Sequence, residues 1–466
     1  MNLVILVPDG VGIRNFVLGS FLQQAVKENQ VHVLHTIPPE LAPSFAGKTN
    51  GNVVWERLRG YRESPLGALL RYSLSYGQMY WADTPSMRFV RSLPVAGSWR
   101  AKTLRNTAKV LGKIAATPRG LSLVDRCHNI EVSRLPQVAY YRNLFSKLRP
   151  QVLFCSHQRP LEVIPPVLAA RELGIPTATF IFSWDNLTSK GRIAAPFDHF
   201  LVWSDLMKSE LLRFYPDVPA ENIHIVGTPQ FDPYVDGELL YPKEEFFAQL
   251  EADPARPLIC YSGGDTGTAP EDHLHLAILM KLIRIGEIKG NPQVVLRPAP
   301  VDDGSRYAKV RRDFPELIYA QPAWMHTEPG NWARVIPSAE DTRLLANLTH
   351  HADLNVNLAS TMTLDFALHD KPIVNIAFDV ADQPLFGVPL WDFYYQFDHY
   401  RPVVELGAAR FARSATELAE HINAYLADQS LDREARRQFV QLEVGIPLGT
   451  SSRKIVETLQ HIGQNN

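Results

Sequence analysis

Ser360 and Thr361 end a strand-like stretch that starts at Leu354 and open a short helical pattern that carries Asp365. Hydroxyls and the unpaired N–H groups of a helix start stabilise an anion, and a carboxylate one turn deeper suits ribose hydroxyls. This set fits the diphosphate and ribose of a nucleotide-activated donor, which points to transferase chemistry. Ser and Thr are also ordinary N-caps, so plain capping is the alternative.

Two further loops in the same half offer donor contacts. Arg297 follows an apolar run at 293–296 and precedes Pro298 and Pro300, which stiffen its loop. A guanidinium there can grip a diphosphate bidentately or form a simple salt bridge. Ser262, Gly263 and Gly264 follow the run at 257–261. The glycines allow close backbone approach to phosphate or sugar, or simply make a turn.

Base candidates lie in the other half. Asp9 follows the first apolar run, 3–7, and can deprotonate an acceptor hydroxyl or cap the next helix. His157 follows 151–155; an ordinary imidazole with a pKa of about 6.5 can take that proton, or serve as a hydrogen-bonded structural residue. Glu162 is the nearby carboxylate that would orient it. Asp185 sits in a dense polar loop with Asn186 and Lys190, where Trp184 offers a flat face for a sugar ring or a packing anchor. His350 and His351 are adjacent and cannot both face one metal from a helix, and Asp302 and Asp303 lie in a turn-like stretch. The expected chemistry uses no metal and no cofactor beyond the donor, with positive groups and helix N-termini stabilising the leaving diphosphate.

These residues need a scaffold that brings distant loops to one edge. The chain has 466 residues, 45% of them hydrophobic, which suits two to three domains with substantial cores. Short apolar runs at 3–7, 31–36, 151–155, 177–182, 199–203 and 223–226 alternate with helical stretches, and a second series follows at 257–261, 293–296, 354–357 and 373–377. That is the pattern of α/β domains with parallel sheets, whose ligands bind beyond the carboxyl ends of the strands. A Pro- and acid-containing connection, 229–254, separates the two series. The expected organisation is an acceptor-side Rossmann-like domain over 1–235, with a basic helical segment at 56–150, and a donor domain over 236–415. The sheets would face a central cleft, and tail helices at 416–466 would pack back on the first domain.

Charge and cysteines narrow the partners. A net charge of −2 predicts no nucleic-acid partner. From 56 to 120, however, twelve Lys and Arg stand against Glu56, Glu63 and Asp83, a local +9 that leaves −11 elsewhere. Tyr61, Tyr72, Tyr76, Tyr80, Trp81, Phe89 and Trp99 are interleaved with these cations. Such a segment can lie on anionic lipid headgroups, grip an acidic acceptor, or form a solvated helical face. Cys127, Cys155 and Cys260 suggest neither a disulfide framework nor metal-ligand spacing, so a reducing cytoplasm is expected. The first residues lack a basic leader and read as a buried strand, and no apolar run approaches the ~20 residues of a spanning helix. Peripheral contact at the inner face of the cell membrane fits this reading.

Gly227-Thr-Pro-Gln-Phe-Asp232, Leu296-Arg-Pro-Ala-Pro300 and Ser360-Thr-Met-Thr-Leu-Asp365 together carry a family likeness. The chain, mainly over 150–460, resembles GT-B glycosyltransferases. The similarity is to the group holding bacterial surface-polysaccharide transferases, glycerophosphotransferases of teichoic acid synthesis and non-hydrolysing sugar-nucleotide epimerases. The resemblance implies that Ser360 and Thr361 bind donor phosphate and that Asp365 approaches the ribose. Ala299 stands where glycerophosphotransferases usually show a histidine, and Met362, Thr363 and Asp365 stand where epimerases usually show Gly-Gly and paired glutamates. Both departures favour a glycosyltransferase with a nucleotide-sugar donor and a surface glycan or glycolipid acceptor; a glycerophosphotransferase, a sugar-nucleotide epimerase and a non-catalytic membrane-associated scaffold are the alternatives.

Overall fold

The computed structural model describes residues 1–38, 53–326, 335–380, 384 and 387–464. Its contacts divide the chain into two compact units, Met1–Gln230 with Glu443–Asn466, and Phe231–Leu442.

The first unit is built on seven strands: β1 (Asn2–Val7), β2 (Gln30–His35), β3 (Val53–Arg57), β4 (Val152–Cys155), β5 (Thr177–Phe180), β6 (His199–Val202) and β7 (Ile223–Ile225). They lie in the order β3-β2-β1-β4-β5-β6-β7, and every pairing is parallel. The second unit carries β8 (Leu258–Ser262), β9 (Gln293–Arg297), β10 (Ile318–Tyr319), a small antiparallel pair β11 (Trp324–His326) and β12 (Val335–Pro337), then β13 (Leu354–Asn357), β14 (Ile373–Ile376) and β15 (Arg410–Ala412). Its main sheet has the order β10-β9-β8-β13-β14-β15, again all parallel.

Both sheets are therefore wound the same way. The chain runs outward from a first strand, then crosses back and continues on its other side. Helices on both faces bury the inner strands completely, which is why β1, β4, β8 and β9 read as near-continuous apolar runs. The structure adds β3, β10, β15 and the β11–β12 pair to the strands legible as apolar runs. Among these, β3 is a half-exposed edge strand with Glu56 and Arg57, and β10 has only two residues. Edge pairing of this kind needs no apolar run.

The basic segment is the crossover from β3 to β4. It forms helices Pro65–Ala82, Pro85–Ser92, Trp99–Ile114, Pro118–Ser133 and Pro136–Leu148. Ser64, Thr84, Ser98 and Thr117 cap the first four by accepting a backbone N–H. Helices Pro65–Ala82 and Trp99–Ile114 approach closely at Gly77 and Gly112, where a Cβ on Gly112 would meet Ser73 O at 2.7 Å and Gly77 N at 2.8 Å.

The tail at 416–466 is shared between the units. Leu418, Ile422 and Tyr425 are fully buried in the second unit's core because their helix, Ala415–Ala427, lays its apolar stripe there. The last helix, Ser451–Gln464, packs in the first unit against helix Ser20–Glu28. No helix among the described residues is long and apolar enough to cross a membrane.

Candidate functional site

Each sheet reverses direction at one place, between β1 and β4 in the first unit and between β8 and β13 in the second. Loops leaving adjacent strands there turn to opposite faces and leave a crevice at the carboxyl edge, the usual ligand position in open α/β sheets. Several of the sequence-predicted residues lie here. Asp9 and His157 follow β1 and β4, Ser262 ends β8 with Gly263 and Gly264 after it, and Ser360–Thr361 follow β13.

At the first reversal Asp9 and His157, 148 residues apart, form a hydrogen-bonded pair between Oδ2 and Nδ1. Asp9 is 4% exposed and also caps the turn after β1, its Oδ1 accepting Gly12 N–H at 2.8 Å. That turn runs into a π-helical turn, Ile13–Leu18, a local form common at functional sites. Burial pushes the Asp9 carboxyl up, but the charge and hydrogen bond of His157, with the Gly12 and Val11 N–H groups, outweigh it and hold the pKa below the ordinary value. An ionised Asp9 accepts the Nδ1 proton, so that in the neutral imidazole the lone pair lies on Nε2. Nε2 is buried and has no hydrogen-bond partner among the described residues, and the same holds for Ser156 Oγ and for Asn15 Nδ2 on the π-helical turn. Phe182 packs on the imidazole with ring centroids 4.5 Å apart. The Cys155 thiol donates to His157 O at 3.1 Å and fixes its backbone.

At the second reversal amides and hydroxyls predominate. Ala359 takes a left-handed φ of +45°, which swings the chain out of β13 into the Ser360–Thr361 turn. Asn357 Oδ1 accepts Ser360 N–H at 2.9 Å, and Ser360 Oγ accepts Met362 N–H at 3.3 Å. Asn357 belongs to a buried network: Asn357 donates to Asn355 at 2.7 Å, Asn375 donates to Asn357 at 3.1 Å, and Asn355 donates to Ser262 Oγ at 2.8 Å. Thr363 and Tyr400 complete it, their hydroxyls 2.7 Å apart. In the adjoining loop a Cβ on Gly263 would meet the Tyr307 hydroxyl at 2.4 Å, so only glycine fits. Gly264 N–H donates to Asp272 at 3.0 Å, and Arg306 grips the carbonyls of Gly264 and Ala269. The side chain of Thr361 is exposed at the start of helix Met362–Ala367.

No protein-family model matches this chain, and no curated protein matches its sequence. Solved structures match it over its whole length. UDP-GlcNAc 2-epimerase from Neisseria meningitidis, bound to UDP-GlcNAc, is 9% identical, with 99% of this chain and 100% of that one covered at a TM-score of 0.52. A glycosyltransferase from Rickettsia africae is 10% identical, covering 100% and 99% at a TM-score of 0.53. The wall teichoic acid polymerase TagF is 10% identical, covering 100% and 89% at a TM-score of 0.50. The chain has the GT-B fold.

The remaining expected residues take less open positions in this GT-B chain. Arg297 is 4% exposed, and its Nη2 donates to both Asp341 carboxylate oxygens at 3.0 and 2.9 Å, while its buried Nη1 has no hydrogen-bond partner among the described residues. Asp341 also accepts from Trp324 Nε1 at 2.5 Å, so Arg297 ties a helix start to the β11 strand. Asp365 is 2% exposed and accepts the Tyr234 hydroxyl, which places it behind the turn. Asp185 holds its own loop, accepting Ser189 Oγ at 2.8 Å and Asn186 Nδ2 at 3.1 Å, with Lys190 Nζ at 3.5 Å. Trp184 is 4% exposed, so the flat face expected for a sugar is covered by packing. Glu162 makes no bond to His157; Asp9 is the carboxylate that orients it. No group of three or more His, Cys, Asp or Glu that could hold a metal occurs among the described residues.

The amide network escaped the sequence reading. Its signal was present as Asn355, Asn357 and Asn375 inside otherwise apolar strands, where a buried amide demands partners. Asp272, Arg306 and Tyr307, which hold the glycine loop, lie on helices and turns and carry no comparable signature.

Proposed function

We propose that this chain is a glycosyltransferase that moves a sugar from a nucleotide donor to an acceptor hydroxyl. The observation that carries this reading is the Asp9–His157 pair at the first sheet reversal, whose buried Nε2 has no hydrogen-bond partner among the described residues. His157 Nε2 takes the acceptor proton as the oxygen attacks the anomeric carbon, and ionised Asp9 stabilises the imidazolium that forms. The diphosphate leaves as the sugar–oxygen bond breaks, received by the hydroxyls of Ser360 and Thr361 and by the Thr361 N–H. Asp365 acts as a positioning residue through Tyr234, and Arg297 through Asp341.

The fold supports a nucleotide-sugar substrate, since the Neisseria epimerase of this architecture binds UDP-GlcNAc. A surface glycan or glycolipid acceptor follows from the resemblance of the motifs. Sugar-nucleotide epimerisation is the second reading, favoured by the same neighbour and opposed by Met362, Thr363 and Asp365 at the turn.

Thermal shift with UDP-, CDP- and GDP-sugars, followed by turnover with and without acceptor, tests the assignment. Donor-dependent stabilisation that weakens in Thr361→Ala, with product only when acceptor is present, is the expected result. Isomerised donor without acceptor selects the epimerase, and no stabilisation by any nucleotide sugar sinks both.

A further inference from the structure

Among the described residues eighteen large apolar side chains are exposed, and ten of them fall between Leu66 and Ile130. This concentration lies in the helical crossover and coincides with the chain's strongest charge. From Thr84 to Val124 there are eight Lys and Arg and no Asp or Glu.

Helix Trp99–Ile114 shows how the two features combine. Its inward face carries Ala108 and Gly112, both buried against helix Pro65–Ala82. Trp99, Thr103, Asn106, Val110 and Ile114 follow at i, i+4, i+7, i+11 and i+15, a single outward stripe. Trp99 is 71% exposed, Val110 62% and Ile114 76%. Lys102 and Lys113 flank that stripe and make no ion pair among the described residues. Helix Pro118–Ser133 repeats the pattern with Arg119, Leu123, Arg126 and Ile130, where Leu123 is 62% exposed and Ile130 50%. The acids around this face are engaged elsewhere: Asp83 pairs with Arg88 and Arg91, Asp125 with Arg192, and Glu131 accepts Ser64 Oγ at 2.7 Å.

We infer that the outward face of helices Trp99–Ile114 and Pro118–Ser133 docks on an anionic lipid bilayer. Cations at the rim meet headgroup phosphates, while Trp99, Val110, Ile114 and Leu123 enter the headgroup–acyl boundary. A Trp ring suits that boundary because it joins an apolar body to a polar N–H. A second copy of this chain is a poor occupant, since a two-fold contact would set like charges against each other. Docking places the first unit, with its Asp9–His157 pair, on a surface that presents lipid-linked hydroxyls, and does not depend on the donor assignment.

The full-length protein is mixed with sedimenting vesicles of phosphatidylethanolamine and phosphatidylglycerol, or of phosphatidylcholine alone, without any substrate. Binding to the anionic vesicles is expected, weakening with added salt and absent on phosphatidylcholine. Trp99→Glu with Ile114→Glu, and separately Lys102→Glu with Lys113→Glu, should each weaken partition roughly tenfold or more. Arg453→Glu on the last helix should leave partition unchanged. Melting curves of the variants, all at exposed positions, separate lost docking from lost folding. Wild-type protein that stays in the supernatant overturns the inference, as does wild-type partition in both double variants. A dimer that the same substitutions dissolve overturns it in favour of a second copy.

Discussion

The two sheet reversals share a strand order and differ in what they hold. The first gathers ionisable groups, with a buried carboxylate holding an imidazole. The second gathers amides and hydroxyls, Asn355, Asn357, Asn375, Thr363, Tyr400 and Ser262, and presents backbone at its rim. The topology supplies the location, and side chains set the task. In the proposed role the imidazole needs a fixed orientation and a counter-charge for the cation that forms, and the Asp9 carboxylate bonded to Nδ1 is placed to supply both. A diphosphate site needs N–H groups without competing negative charge. Around the turn, Asp365 is covered by Tyr234, and Asp272 accepts from Tyr261, Tyr307 and Gly264.

The largest effect expected from this contrast is on turnover. His157→Ala should lower kcat by about 10²–10⁴-fold while donor affinity holds, since general-base catalysis contributes about that much. Asp9→Asn should cost nearly as much, because an amide cannot stabilise the imidazolium and can favour the wrong tautomer. Steady-state rates with isothermal titration of donor separate the two quantities. Turnover within a few-fold of wild type in His157→Ala would remove the first reversal from the chemistry.

The second reversal should respond in the opposite quantity. Asn357→Leu keeps the branching of the side chain but strips partners from Ser360 N–H, Asn355, Thr363 and Asn375, all buried or half-buried. Each stranded polar group costs about 1–3 kcal/mol, so a fall in Tm of several degrees is expected. With the turn unanchored, KM for the donor should rise about tenfold while kcat changes little. A drop in kcat with unaltered KM would reverse the roles assigned to the two reversals.

Much of this contrast was legible before any coordinates. The apolar runs that became β1, β4 and β8 gave their loops, because strands covered on both faces cannot hide their composition. Asp9, His157 and Ser360–Thr361 were legible because each directly follows such a run. The pairing of Asp9 with His157 was not, since Glu162 is the nearer carboxylate in sequence and only the β1–β4 register brings Asp9 alongside. Burial also decided against surface expectations. Arg297 looked like a phosphate clamp from its prolines, yet Asp341, 44 residues away, holds it. Trp184 and Asp365 have suitable chemistry in positions the packing covers.

The smallest effect tests whether the two reversals differ in charge as well as role. Asp9 is held below its ordinary pKa, with the pull of His157 and two N–H groups exceeding the push of burial. A carboxyl depressed on folding contributes stability that is fully present above its unfolded value of about 3.9 and is lost as pH falls through the lower folded value. The amides of the second reversal bind no proton in this range. The Tm gap between wild type and Asp9→Asn should therefore persist from neutral pH to about 4 and close below it. The gap between wild type and Asn357→Leu should stay level throughout. Melting curves collected across acid pH distinguish the two, and a gap for Asp9→Asn that survives in strong acid means that packing, not the ionised pair, holds the first loop.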